Sequence, residues 1–154
     1  MTTPKIRPCL WFDGDAEEAV DFYCSVFPHA KRLDVSHTGD GKVLTIAFEL
    51  EGQPLLALNG GPHYHFTEAI SLSVDCKNQA EVDRLWEELI ADGGEPGQCG
   101  WLKDKFGLSW QIVPSELPQM LTDKDPKKAA RAMQAMLKMH KLDIAELQRA
   151  RDGR

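Results

Sequence analysis

The sequence predicts an α+β fold of two βαβββ modules followed by C-terminal helices. Three observations predict it. Apolar and polar residues alternate along short segments, a pattern typical of half-buried strands, and each module holds one helical stripe behind a capping box. The order strand, cap and helix then recurs, because Leu10 aligns with Leu72 and Phe12 with Val74 at the same offset. We therefore expect an internal duplication.

The first module is expected to span residues 1–62. The segment 6–12 alternates in polarity and predicts a strand. Asp15 is expected to cap the helix that follows, with Glu18 as its capping-box partner, and Pro28 ends that helix. Glycine-containing turns separate the remaining predicted strands, which cover 31–37, 43–50 and 54–58. Read coarsely, the module is β-α-β-β-β.

The second module is expected to span residues 63–116 and to repeat this order. Its first strand is predicted over 69–75, and Asn78 with Glu81 forms a second capping box. The helix ends at Gly93-Gly94, since glycine adopts the left-handed conformation of a C-cap. Short strands are predicted around 95–98, 100–102 and 107–113.

Residues 117–154 are predicted to form a C-terminal helical extension. Asp125 and Pro126 give an N-cap followed by proline at the first helical position, and Asp143 with Glu146 caps a last short helix. The residues expected to share one face of the longer helix are Ala129, Met133, Met136, Leu137 and His140. That stripe suits either a pliable binding surface or packing against the domain or a second copy, and we expect packing.

Charge and hydropathy exclude two classes of partner. The 154 residues carry a formal net charge of −6, so a phosphate backbone or an anionic membrane is repelled. No apolar run approaches the length of a membrane span. We expect no nucleic acid and no membrane among the partners.

Cysteine spacing and the first residues predict a cytoplasmic protein. Residues 1–5 lack the apolar run of a signal peptide. The four cysteines show no C-x-x-C pair, so free thiols in a reducing compartment are expected.

Three blocks of the sequence carry a resemblance to a known family. They are residues 9–14, 57–62 and 99–114, of which the last is the most specific. They resemble the PhnB-like group, the "3-demethylubiquinone-9 3-methyltransferase domain" of the vicinal oxygen chelate superfamily, which includes glyoxalases, bleomycin-resistance proteins and extradiol dioxygenases. We expect the resemblance to extend over the C-terminal helices. It implies that the modules form an incompletely closed, eight-stranded curved sheet, a cup for a small-molecule ligand, in a homodimer.

The resemblance also implies a divalent metal in the cup, and the residues at the matching positions do not favour one. The four positions fall near Arg7 or Cys9, Asn59, Ala69 or Ser71, and Gln111. A catalytic metal needs three or four His or carboxylate donors, whereas Arg7 is a cation and two of the other positions are neutral amides. The pair His63 and His65 is expected to be exposed and incidental. We expect neither a metal nor a cofactor.

Alternation along the strands predicts which side chains line the cup. Ile6, Leu10 and Phe12 are expected to face the helices in the first strand, as is Ile70 in the fifth. The candidate ligand-binding residues are Arg7, Cys9, Trp11, Asn59, Ser71, Trp101, Lys103 and Gln111. A mixture of cation, thiol, indole, hydroxyl and amide suits a small polar or aromatic ligand. A solvent-facing sheet side is the alternative, and Trp101 and Lys103 suit a core or dimer role equally well.

Three functions remain open from the sequence. The first is a small-molecule-binding protein like the bleomycin-resistance members. The second is a metal-independent enzyme, for which Cys9, Arg7 or a nearby carboxylate are the acid–base candidates, with catalytic residues otherwise unknown. The third is a structural dimerisation module. The methyltransferase activity of the family description is not expected, because Gly39 and Gly41 lie in a predicted hairpin turn rather than in a cofactor-binding loop.

Overall fold

The computed structural model describes residues 4–154, which divide into two compact units, one ending at Phe66 and one beginning at Thr67. Each unit contains a four-stranded mixed sheet and a helix between its first two strands. This confirms the predicted α+β fold of two modules with C-terminal helices. The helical extension, predicted as a separate segment, lies within the second unit.

The first unit has the strand order β1-β4-β3-β2. Its first strand pairs parallel with its last, and the other neighbours are antiparallel. The elements are β1 (Cys9–Phe12), α1 (Ala16–Val26), β2 (Ala30–His37), β3 (Val43–Leu50) and β4 (Gln53–Asn59).

The second unit repeats this topology, with the strand order β5-β8-β7-β6 and a parallel β5–β8 pair. The repetition of both order and direction supports the internal duplication. The elements are β5 (Ser71–Cys76), α2 (Gln79–Ile90), β6 (Glu95–Pro96), β7 (Trp101–Lys103), β8 (Ser109–Pro114), α3 (Leu117–Leu121), α4 (Pro126–Leu137) and α5 (Ile144–Asp152).

Each sheet buries one face, and two residues predicted for those faces are exposed instead. Leu10 and Phe12 are buried as expected. Ile6 is 84% exposed, because strand pairing begins only at Cys9, after a proline that has no N–H to donate. Ile70 is 57% exposed, since it lies in the bend before β5. The predictions for both isoleucines are therefore wrong.

The helix caps follow the sequence with one exception. The side chains of Asn78 and Asp143 accept hydrogen bonds from the backbone N–H three residues on, as predicted. Asp15 occupies the N-cap position of α1, but its side chain makes no capping hydrogen bond. The Ala16 N–H instead donates to Asn59 Oδ1 at 2.9 Å, so the cap comes from the end of β4.

The C-terminal helices pack around a small apolar cluster of the second unit. The cluster contains Leu117, Met120, Ala132, Met139, Leu142 and Leu147. The predicted face of α4 is wrong in part, because Met133 and Leu137 are exposed while Ala132 is buried. The helix is turned so that Ala132 and Ala135 pack in the cluster that includes residues of α3 and α5. None of the helices within residues 4–154 has the length and apolarity to cross a membrane.

Candidate functional site

The open face of the second sheet brings together four of the predicted site residues. Lys103 lies opposite Ser109, and Trp101 lies opposite Gln111, in the β7–β8 ladder. Ser71 lies beside Ser109 in the β5–β8 ladder. Residues paired across neighbouring strands project from the same side of a sheet. The predicted alternation of side chains along these strands therefore places the four residues on one side of the sheet.

Two carboxylates flank Lys103 on this face. Glu95 is its direct partner in the β6–β7 ladder, and Glu68 forms an ion pair with its ammonium group. The hydrogen bond and charge of Glu68 raise the pKa of Lys103, and the charge of Glu95 adds to the effect. The same hydrogen bond lowers the pKa of Glu68. Both shifts favour the charged forms of Lys103 and Glu68.

An open pocket of about 550 Å³ lies over the β6–β7 hairpin. A volume of this order suits a small organic molecule. Its lining residues are Glu68, Glu95, Pro96, Gly97, Gln98, Cys99, Trp101, Leu102, Lys103 and Ser109. All of them belong to the second unit, so the pocket is complete within it.

Ser109 has a buried hydroxyl that lacks a hydrogen-bond partner among the described residues. The residue belongs to the pocket lining and is 1% exposed, and its Oγ forms no hydrogen bond with the described residues. A buried hydroxyl left unpaired costs about 1–3 kcal/mol, so native proteins usually supply a partner. A ligand in the pocket would provide that partner.

The C-terminal extension holds the loop that forms one wall of the pocket. The N–H groups of Cys99 and Gly100 donate to the carbonyls of Met139 and His140, both at 2.8 Å. The His140 ring donates from Nδ1 to the Gly97 carbonyl at 2.7 Å. Cys99 has a φ of 59°, a left-handed conformation that is uncommon for a residue with a side chain. These bonds from the extension fix the strained loop.

The β7–β8 hairpin is fixed by the buried carboxylate of Asp104. Its Oδ1 accepts from the N–H groups of Phe106 and Leu108 at 2.9 and 3.0 Å. Its Oδ2 accepts from Trp110 Nε1 at 2.9 Å. The carboxylate sets the register in which Lys103 meets Ser109.

The first sheet places three other predicted residues near one another. Cys9 and Trp11 share the open face of β1, and the positive charge of Arg7 acts on Cys9. Burial raises the pKa of the Cys9 thiol, and Arg7 opposes this shift. Trp11 Nε1 donates to the Gly61 carbonyl at 2.8 Å, and the indole meets Tyr64 edge-on at 4.9 Å. The polar group of this tryptophan therefore already has a partner within the chain.

Asn59 serves the structure of the first unit. It pairs in register with Phe12, on the buried side of the sheet. Its Oδ1 caps α1 at Ala16, and its Nδ2 donates to the Val43 carbonyl at 3.1 Å. Both ends of the amide are therefore engaged within the chain. Its predicted role in ligand binding stays a prediction.

The residues at the expected metal positions do not fit a divalent ion. Within residues 4–154, no group of three or more His, Cys, Asp or Glu side chains is arranged to hold one. The amide of Gln111 donates to Ser71 Oγ at 3.0 Å, and that of Asn59 is engaged as described. His63 and His65 are exposed, as expected, and lie outside any strand.

The four thiols are free in the described part of the chain, and they differ in environment. Burial raises the pKa of Cys76 to about 12. A thiol with such a pKa stays protonated and unreactive at neutral pH. Cys99 is the thiol that lines the pocket.

Of the residues that line the pocket, the candidate set contained Trp101 and Lys103. The polar or charged lining residues Glu68, Glu95 and Ser109 were not among the candidates. The pairing of Glu95 with Lys103 depends on the register of a short hairpin, which periodicity alone does not fix. The opposite charges of Glu95 and Lys103, on either side of the predicted hairpin, were the available signal.

Comparison with known families gives one match. The family model described as 3-demethylubiquinone-9 3-methyltransferase matches residues 4–113. The match ends one residue before the end of β8, so it does not include the C-terminal helices, contrary to expectation. A search of curated proteins finds no significant match.

Solved structures match most of the chain. The PhnB protein of Bacillus cereus is 32% identical, with a TM-score of 0.66, over 72% of this chain and 99% of that one. A Pseudomonas aeruginosa protein is 19% identical (TM-score 0.60), over 73% of this chain and 98% of its own. The Listeria monocytogenes fosfomycin resistance protein FosX, crystallised with Mn(II) and a sulfate ion, is 18% identical (TM-score 0.55), over 71% and 90%. The last two show the fold alone.

Proposed function

Because the chain belongs to the 3-demethylubiquinone-9 3-methyltransferase family of the vicinal oxygen chelate superfamily, we propose that it binds a small molecule in the pocket of its second sheet. The observation that carries this proposal is the buried, unpartnered hydroxyl of Ser109 in the lining of that pocket. FosX, which shares the fold, has small ligands in its structure.

The pocket offers two kinds of surface to a ligand. Pro96 and Trp101 supply apolar contact. Lys103 and Ser109 supply a charge and a hydroxyl from the sheet beside it. Small-molecule sites commonly combine an apolar lining with a few polar groups that orient the ligand. An aromatic or aliphatic group with a polar end matches both surfaces.

Methyl transfer is not part of the proposal. Common methyltransferases bind their cofactor at a glycine-rich loop that follows a strand of a doubly wound parallel sheet. Both sheets of the described residues are mixed, with parallel pairing only between β1 and β4 and between β5 and β8. Gly41 lies in the turn between β2 and β3, where its φ is 86°. The proposed binding also requires no metal, for which the donor residues do not fit.

A homodimer in the cytoplasm stays part of the proposal. Exposed apolar side chains are available for association of two copies. They include Ile6, Ile70, Met133 and Leu137. The free cysteines are compatible with a reducing compartment.

Replacing Ser109 with alanine is expected to stabilise the protein and weaken ligand binding. The change removes an unsatisfied hydroxyl, so the free energy of unfolding without ligand should rise by about 1 kcal/mol. Affinity for a small aromatic found by thermal-shift screening should fall about tenfold, since a lost hydrogen bond of about 1.4 kcal/mol changes a dissociation constant by that factor. Urea unfolding and calorimetric titration measure the two effects.

Ser73→Ala is the matched control, because Ser73 is exposed on β5 and does not line the pocket. It should change neither quantity appreciably. If Ser109→Ala binds every screened compound as tightly as the wild type, the proposed site is wrong.

A further inference from the structure

Ser109 is buried although it lies on the open face of the second sheet. It is 1% exposed, whereas its neighbours on that face, Ser71, Lys103 and Gln111, are half-buried. Its hydroxyl has no hydrogen-bond partner within residues 4–154. The atoms that cover this hydroxyl are therefore atoms that form no hydrogen bond with it.

The side chain of Lys103 is placed to cover Ser109. The two residues are directly opposite in the β7–β8 ladder, where the Cβ atoms of such a pair lie about 4.5–5.5 Å apart. The central strand β8 lies between β7 and β5, and Glu68, the ion-pair partner of Lys103, lies shortly before β5. To reach Glu68, the lysine side chain extends across the start of β8, where Ser109 is the first residue. Its methylene stem has no donor or acceptor, which accounts for a covered hydroxyl without a partner.

Lys103 has a second carboxylate within reach, on its other side. Glu95 of β6 is its direct partner in the β6–β7 ladder, so the two side chains project from the same face. Glu68, and to a smaller extent Glu95, raise the pKa of Lys103. One carboxylate thus lies across β8 and the other on β6, and both glutamates are exposed. Because a lysine side chain is flexible, an exchange between the two partners requires only rotation about its side-chain bonds.

We propose that Lys103 is a gate with two positions, which covers Ser109 when it pairs with Glu68 and uncovers it when it pairs with Glu95. The inference rests on the proposed function and adds a control on access to the same site. A ligand forms a hydrogen bond with Ser109 only in the second, open position. The structure holds the first, closed position, so the apparent affinity is reduced in proportion to the open fraction.

The two positions are close in free energy. Each pairs the ammonium group with an exposed carboxylate, and exposed ion pairs contribute little to stability. Neither glutamate therefore traps Lys103. A hydrogen bond from a ligand to Ser109 is of comparable strength, so ligand binding shifts the lysine into the open position.

Two substitutions that remove the same charge should change ligand affinity in opposite directions. The full ¹⁵N-labelled chain and its variants are titrated with 2-phenylethanol, an uncharged probe, and the dissociation constants are taken from chemical shifts. Glu68→Gln removes the partner of the closed position, so the probe should bind about threefold tighter. Glu95→Gln removes the partner of the open position, so the probe should bind about twofold more weakly.

A double variant connects the gate to Ser109, and a single variant controls for the loss of charge. In Ser109→Ala the hydroxyl is gone, so adding Glu68→Gln should change the affinity for the probe by less than about 1.5-fold. Glu87→Gln removes a charge from an exposed residue of α2 that lies outside the pocket. It should bind the probe as tightly as the wild type.

Unchanged affinities in Glu68→Gln and Glu95→Gln, or changes in the same direction, overturn the inference, because net charge alone acts in one direction. A gain from Glu68→Gln that persists in full in the Ser109→Ala background overturns it as well. These outcomes leave the proposed function in place. If the probe binds neither the wild type nor any variant, the inference is also wrong, and the Ser109→Ala comparison with the screened compounds decides separately whether the pocket binds a ligand.

Discussion

Replacing Asp104 with alanine is expected to lower the free energy of unfolding by about 4 kcal/mol, because two buried N–H donors lose their acceptor. These are the backbone N–H of Leu108 and the indole N–H of Trp110. Asp104 is 2% exposed, so water cannot easily take its place. The hairpin that positions Lys103 opposite Ser109 would lose its internal support. Urea unfolding followed by circular dichroism measures the loss.

Two variants make the Asp104 experiment specific. Asp104→Asn keeps one acceptor oxygen and should lose about half as much stability as the alanine variant. Asp13→Ala removes an exposed aspartate and should change the free energy of unfolding by less than about 0.5 kcal/mol. A loss below about 1 kcal/mol in Asp104→Ala would show that the carboxylate does not fix the hairpin.

Replacing Leu142 with alanine is expected to cost about 3 kcal/mol and to weaken ligand binding as well. Leu142 is fully buried, and deleting a buried leucine side chain leaves a cavity. It packs beneath the pocket wall, since a Cβ built on Gly100 would lie 3.0 Å from its Cδ1. The neighbouring carbonyls of Met139 and His140 hold the same wall. Loosening this segment should therefore affect the pocket from a distance.

Leu137→Ala is the matched control in the same extension. Leu137 is 56% exposed, so its truncation should cost less than about 0.5 kcal/mol and leave affinity unchanged. Urea unfolding and titration with the screened compound compare the two variants. If Leu142→Ala loses stability but binds as tightly as the wild type, the extension does not support the pocket wall.

The fold could be predicted because its signals are local. Alternation placed Leu10 and Phe12 on the buried side of β1, and the capping boxes placed the starts of α2 and α5. The prediction of the α1 cap failed because a residue distant in sequence supplies the capping group. The first N–H of α1 is capped by Asn59, which lies far along the chain, and no local pattern identifies it.

The candidate site could be predicted only in part. Alternation along a strand assigns a side chain to one face of the sheet, but it does not identify the neighbouring residue on the next strand. It placed Ser71 and Gln111 correctly on the open face of the second sheet. The meeting of Glu95 with Lys103, and the support of the loop at Cys99 by the C-terminal extension, depend on register and packing between distant segments. Such pairings are set by the whole fold rather than by a short stretch of sequence.

The central claim is that a small molecule binds in the pocket of the second sheet, and chemical-shift mapping tests it most directly. The ¹⁵N-labelled chain is titrated with the tightest-binding small aromatic from the screen. We predict that the shifted resonances concentrate in residues 97–103 and at Ser109, with the indole N–H of Trp101 among them. Shifts that concentrate instead around Cys9 and Trp11 on the first sheet would contradict the claim.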